Sequence, residues 1–295
     1  MSFHFEPHAP LPEEVHRVAE DQLNRALAAT ECAGDDVDGA VHDLRKRMKK
    51  LRGLARLVRT GLGDTYNEKN KRFRDIARLF SDIRDPQVLC ETLDTLQQAA
   101  NDDAAGQSFQ PLRAWAQDRR DRVLTSGDLG DRMSTARNRL RDALADVDAW
   151  RIDGPPEDIL RKGLKKTYKR ARKRYDFVQE TPGPGPLHEW RKRVKYHWYH
   201  CRLLREGWPE ILKPQIDALD RLGDLLGDDH DLVVLVDTLE AEDAPDAARN
   251  VIARCAAEQS HCLRRAAFAL APRLMLEKPA ALSRRIAGYW DVASD

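Results

Sequence analysis

Apolar residues recur along this chain at intervals of three and four, with charged residues between them, and Val/Ile alternation is rare. That period gathers the apolar positions on one face of a helix and predicts an all-α chain. Proline and glycine mark the breaks. Pro12 opens a helix over 12–30, which Gly34-Asp-Asp-Val-Asp38 ends. A long helix follows over 39–62 and another over 66–83. Asp85-Pro86 reads as an N-cap followed by proline at the first helical position. Helical spacing continues over 110–124 and 132–150. Gly154-Pro-Pro156 interrupts it, 158–175 is helical again, and Thr181-Pro-Gly-Pro-Gly-Pro186 is the strongest breaker in the chain. It leads into a helix over 187–205, and Pro209, Pro245 and Pro272 bound the helices beyond.

Two of these helices say the same thing. His42-Asp-Leu-Arg45-Lys46-Arg47-Met-Lys49 is matched, 146 residues on, by His188-Glu-Trp-Arg191-Lys192-Arg193-Val-Lys195. The match continues without a gap, and 16 of the 52 positions from 42 to 93 are identical. A shared helical period alone would preserve apolar residues, not a histidine and six Lys/Arg in register. The unit is too long for a solenoid repeat. It predicts two similar helical halves related by a pseudo-twofold axis, over 10–152 and 155–290 of a single domain spanning 1–295, joined near Gly154.

In helical projection, Arg45, Lys49, Arg52, Arg56 and Arg59 form one stripe, with His42 at its edge and Lys46 beside it. Leu44, Met48, Leu51, Ala55, Val58 and Leu62 form a separate apolar stripe. In the second copy Trp190, Val194, His197, Cys201, Leu204 and Trp208 take the apolar stripe. His188, Arg191, Lys195, Arg202 and Arg205 take the basic one, with Lys192 alongside and Trp198 in place of Arg52. A third face carries Lys162, Lys166, Lys169, Arg170 and Lys173 opposite Leu160, Leu164, Tyr168, Ala171 and Tyr175. Like charges three and four apart destabilise a helix by a few tenths of a kcal/mol per pair. An anion lying along the stripe would offset that cost at every rung.

The net charge of +1 conceals this segregation: 161–174 holds nine Lys/Arg and no acid, while acids gather over 217–246. Such separation concentrates a polyanion at one surface. The 295 residues suffice for a real core. Five scattered cysteines without a Cys-x-x-Cys (Cys32, Cys90, Cys201, Cys255, Cys262) argue against a zinc ribbon or disulfide framework and for buried thiols in a reducing compartment. Cys255 and Cys262 share a helix face. The N-terminus has no apolar signal region, and no stretch approaches 18 apolar residues, so a cytoplasmic protein off the membrane is expected.

His42-x-x-Arg45-Lys46-x-x-Lys49-x-x-Arg52 and His188-x-x-Arg191-Lys192-x-x-Lys195 resemble the signature helix of the CHAD domain, the conserved histidine α-helical domain. Arg84-Asp85-Pro-Gln-Val88-Leu89 and His230-Asp231-Leu-Val-Val234-Leu235 are similar to the family's later Arg-Asp-x-Asp-Val-Leu element, departing at Gln87, His230 and Val233. The resemblance implies two four-helix-bundle-like halves about a pseudo-twofold axis. It also implies a basic central groove or pore that binds inorganic polyphosphate, and association with polyphosphate granules and their proteins.

The expectation is therefore a binding module, in which the cations of all three faces contact phosphoryl oxygens and His42 and His188 donate from their imidazoles. No catalytic residues, metal or cofactor are expected. Binding to a nucleic-acid backbone is the alternative. It is weakened by the lack of a recognised nucleic-acid motif and of aromatics interleaved with the cations. A metal-dependent phosphohydrolase using His42-Asp43 or Asp228-Asp-His230-Asp231 is weaker still. The latter run reads as a turn with Asp231 as N-cap, and His197 reads as a core histidine.

Overall fold

The computed structural model describes residues 3–31, 36–100, 103–125, 127–241 and 246–295. In chain order the helices are α1 (Leu11–Glu31), α2 (Val37–Leu57), α3 (Arg59–Leu62), α4 (Tyr66–Arg78), α5 (Ser81–Ala100) and α6 (Asp103–Leu124). They continue with α7 (Leu129–Ala145), α8 (Pro156–Glu180), α9 (Pro184–Leu203), α10 (Pro209–Ala241), α11 (Asp246–Leu274) and α12 (Pro279–Ser294). Short 3₁₀ turns lie at Gly63–Thr65, Val147–Ala149 and Arg205–Gly207. Among the described residues there is no β-strand, and the chain is all-α.

Local chemistry explains the boundaries. Asp36 caps α2, its Oδ1 accepting from the Gly39 amide at 2.9 Å. Pro156 opens α8 with Glu157 and Asp158 in its first turn, where acids suit the helix dipole. Helix α9 likewise opens on a proline. The helix expected over 39–62 is interrupted at Val58, between α2 and α3. There α8 lies against α2 so closely that a β-carbon on Gly163 would fall 1.9 Å from the Leu57 carbonyl oxygen.

Two expected breaks are absent. Pro86 lies inside α5, so Asp85-Pro86 is not a helix start. Asp228–Asp231 lie inside the 33-residue α10, so Asp231 is not an N-cap. The glycines of this stretch serve packing instead. A β-carbon on Gly223 would meet the Lys195 side chain at 2.7 Å, and one on Gly227 the Arg191 guanidinium at 3.0 Å. Pro272 also lies within a helix, α11, while Pro245 falls outside the described residues.

The main core joins α1, α2, α4, α7, α8, α9 and α12, with Trp190, Tyr168, Phe73, Phe80 and Leu44 buried in it. The N-terminal Phe3 and Phe5 belong to the same core. A second cluster joins α5 and α6 to α10 and α11 through Leu89, Leu93, Phe109, Leu112, Leu235 and Ile252. The apolar stripe of α8 is buried as its period requires, Tyr168 and Tyr175 included. The thiols depart from expectation: Cys201 is buried, Cys90 and Cys255 are half-buried, and Cys262 is exposed. Cys32 lies outside the described residues. Among those described, no helix is long and apolar enough to cross a membrane.

Candidate functional site

Helix α2 crosses α9 at Gly53. A β-carbon there would lie 3.0 Å from that of Tyr199, and the His200 ring Nε2 is 3.1 Å from the Gly53 carbonyl oxygen. Because α8 packs against α2 through Gly163, the polar faces of α2, α8 and α9 meet along one seam. Arg56 lies over the Tyr196 ring, 4.0 Å from its centroid, and donates to Asn70 Oδ1 at 2.6 Å and to the Arg52 carbonyl at 3.0 Å. Arg52 Nε approaches the same Asn70 oxygen at 3.4 Å. Arg59 stacks over Tyr66 at 4.2 Å.

Electrostatics tie the three helices together. Burial, and then the nearby positive charges of Arg59 and Arg170, hold the Lys166 ammonium below its ordinary value. Burial lowers the guanidinium of Arg56 as well, with Arg52 and Arg170 adding to the effect. Arg193 is lowered by burial and by Arg170 and Arg56, and Glu189 opposes this. Glu189 pairs with Arg193 at 3.5 Å and also with Lys192. Arg52, Arg56 and Arg59 are therefore oriented by an amide, a carbonyl and aromatic faces, while a carboxylate holds Arg193. A cation over an aromatic face keeps its charge.

Across the crossing lies a smaller group. Lys50 is 6% exposed, with its ammonium 5.2 Å from the Phe3 ring centroid. Burial, then Arg47, Arg202 and Lys46, push it down to about 7. Arg202 lies over both Trp198 (4.8 Å) and Phe3 (5.8 Å). Arg205 pairs with Glu206 at 2.5 Å, and Arg47 with Asp43 at 2.9 Å.

The other expected cations are distributed more widely. Lys195 pairs with Asp220 and Asp224, both at 3.0 Å, and lies 4.4 Å from the Trp198 ring. Arg191 packs on Gly227 of α10. Arg45 donates to the Ala77 carbonyl at 2.9 Å and to Ser81 Oγ at 3.1 Å, bracing the α4–α5 junction. His42, Lys46 and Lys49 are exposed on α2; Lys162, Lys169, Arg170 and Lys173 are exposed on α8. Lys162 lies 3.6 Å from Asp158. His188 stacks on His230 with centroids 4.0 Å apart. Burial, then His230, Lys192 and Arg191, push the His188 imidazole down to about 4, so it is neutral at pH 7.

The seam includes Arg193, Tyr196 and Asn70, which lie outside the stripes predicted from the helical period. Arg193 had a signal: it repeats Arg47 in register. Tyr196 and Asn70 had none, because only the helix crossing brings them to Arg56. His197 is fully buried against Tyr168, as a core histidine. Trp208, expected on the apolar stripe, lies beyond the end of α9 and is 45% exposed, edge-on to Tyr289. Within α10, Asp229 is buried and accepts from Ser260 and from Arg264. Among the described residues no group of three or more His, Cys, Asp or Glu could hold a metal ion.

No curated protein matches the chain. Residues 17–240 match the family model for the CHAD domain, and the chain belongs to that family.

Proposed function

We propose that this chain binds inorganic polyphosphate along the seam of α2, α8 and α9. CHAD domains are associated with polyphosphate binding in general. The observation that carries the reading is the gathering of Arg52, Arg56, Arg59, Lys166, Arg170 and Arg193 from four elements of the fold, with Arg52, Arg56 and Arg59 oriented by an amide, a carbonyl and ring faces. Exposed Lys49, Lys169 and Lys173 extend the charge. Guanidinium groups bind non-bridging phosphoryl oxygens bidentately, and a ligand without bases needs no base-reading groups. Lys195 and Arg205 contribute less, because acids already hold them.

The reading includes a duplicated fold with a basic groove at its pseudo-twofold axis. Position 199 is the counterpart of 53 at the repeat spacing of 146, so α2 and α9 cross at equivalent residues. Arg202 is the counterpart of Arg56, and Tyr196 that of Lys50. Arg56 lies on Tyr196, and Arg202 acts on Lys50. A twofold relation requires such reciprocity. In this reading the chain is a binding module without catalysis that associates with polyphosphate granules in the cytoplasm.

The test is a titration with long-chain polyphosphate, compared with duplex DNA, single-stranded RNA and pyrophosphate at physiological salt. Tight binding to polyphosphate and much weaker binding to nucleic acid is the expected result. Equal binding to every long polyanion would replace the reading with a generic cationic surface. A fluorescent fusion that stays diffuse in cells filled with granules would remove the granule assignment.

A further inference from the structure

The two sides of the α2–α9 crossing are not equally open. On one side the cations of α8 flank Arg56 and Tyr196. On the other, the repeat offset makes His16, Glu20 and Asn24 of α1 the counterparts of Lys162, Lys166 and Arg170, so no equally basic helix faces Lys50 and Arg202 there. Gly163, which lets α8 approach Leu57, has Arg17 as its counterpart. The carbonyl equivalent to that of Leu57 belongs to Leu203, and the Phe5 amide donates to it at 2.8 Å. The N-terminal segment thus enters beside α9 at the position equivalent to Gly163 on Leu57.

Its attachment is specific. Phe5 is fully buried, edge-on to Trp290 at 5.9 Å, and Arg17 donates to the His4 carbonyl at 2.7 Å. The Glu6 amide donates to Glu14 at 2.6 Å. Phe3, 2% exposed, covers Lys50 and Arg202 and meets Tyr199 edge-on at 5.8 Å. Among the described residues neither Lys50 nor Arg202 forms an ion pair with a carboxylate. An aromatic face compensates only part of the cost of burying an ammonium, so the ring rests on cations that an anion would satisfy better.

We infer that Phe3 is a displaceable cap over a second phosphate site, built from Lys50 and Arg202 with Lys46 at its rim. The ligand class is a phosphoryl group of an oligophosphate. The inference rests on the proposed function: long polyphosphate on the open seam would continue across the axis once the cap swings out.

Calorimetric titration with tripolyphosphate tests it. The wild-type chain is expected to bind one equivalent, Phe3→Ala two, and Phe3→Ala with Arg202→Gln one again. A folded Phe3→Ala protein that binds a single equivalent overturns the cap. Should Phe3→Ala not fold, hydrogen exchange of the wild-type chain decides. Saturating long-chain polyphosphate is expected to speed exchange of the Phe5 amide about tenfold, and an unchanged rate overturns the cap. Wild-type chain that binds no tripolyphosphate and no long-chain polyphosphate would overturn the proposed function itself.

Discussion

Gly53 and Tyr199 meet where α2 crosses α9, so closely that a methyl group fits only tightly: its carbon would lie 3.0 Å from the tyrosine β-carbon. Alanine gains about 1 kcal/mol of helix propensity over glycine, which offsets part of the crowding. Valine has no such latitude, and overpacking of this kind costs about 1–3 kcal/mol. Gly53→Val is expected to lower the urea midpoint clearly, with Gly53→Ala close to wild type. Equal stability of the valine variant would show that the helices separate freely.

Lys166 and Arg170 are exposed on α8 and face the seam. The double change Lys166→Glu and Arg170→Glu is expected to weaken long-chain polyphosphate binding at least about 100-fold, at roughly 1.4 kcal/mol per tenfold, while the melting temperature stays within a few degrees. Reversing Arg45 and Arg191 would be a poorer test, since Arg45 braces Ala77 and Ser81 and its loss costs stability as well. Undiminished binding by the α8 double variant would exclude the seam.

Affinity should fall steeply with salt. A ligand of closely spaced charges releases condensed cations when bound, as nucleic-acid backbones do. A plot of log affinity against log salt is expected to be linear and steep for the wild type, and shallower for the α8 double variant. Parallel slopes would mean that those side chains do not meet the ligand.

Lys50 titrates at about 7 in the folded chain, against 10.5 for an ordinary lysine. Between these values the unfolded chain holds more protons, so stability rises with pH across that window. Below it the buried charge carries its full cost. Lys50→Met is therefore expected to stabilise the protein near pH 6, by on the order of a few kcal/mol, and progressively less toward pH 10. Denaturant titrations at both ends decide it: a gain that does not shrink would contradict the assignment.

His188 is expected to respond if the proposed ligand reaches Arg191 and Lys192 beside it. Its imidazole is pushed down to about 4 by burial, His230, Lys192 and Arg191, against 6.5 for a free histidine. A polyanion beside Arg191 and Lys192 would screen those charges and stabilise the imidazolium. NMR titration is expected to show the His188 midpoint moving up toward the ordinary value when polyphosphate is bound. In the free protein, the same depressed value predicts that stability falls as pH drops from about 6.5 to about 4, because the unfolded chain then takes up the proton first. A midpoint that ignores the ligand would remove His188 from the site.

The faces of individual helices were legible in the sequence, because one helical period fixes which residues share a stripe. The apolar stripe of α8 and the core position of His197 follow from spacing alone. Pairings between helices did not follow. Nothing near Arg56 in sequence announces Tyr196 or Asn70 as neighbours, and nothing near Lys195 announces Asp220 and Asp224. Glycine was the least legible residue. Gly223 and Gly227 resemble the punctuation of a turn, yet they are smooth ground on an unbroken helix for the side chains of Lys195 and Arg191. Proline misled for a similar reason at Pro86 and Pro272: a helix with enough packing around it tolerates one missing hydrogen bond.

The stacking of Arg56 on Tyr196 and of Arg59 on Tyr66 has a consequence for where the protein can work. Guanidinium groups tied to carboxylates change surroundings when acid neutralises their partners. A ring face has no proton to gain, and neither does the amide of Asn70. These arginines keep the same charge and the same posture through acidification, so the proposed grip on phosphate would not hang on the protonation of any carboxylate.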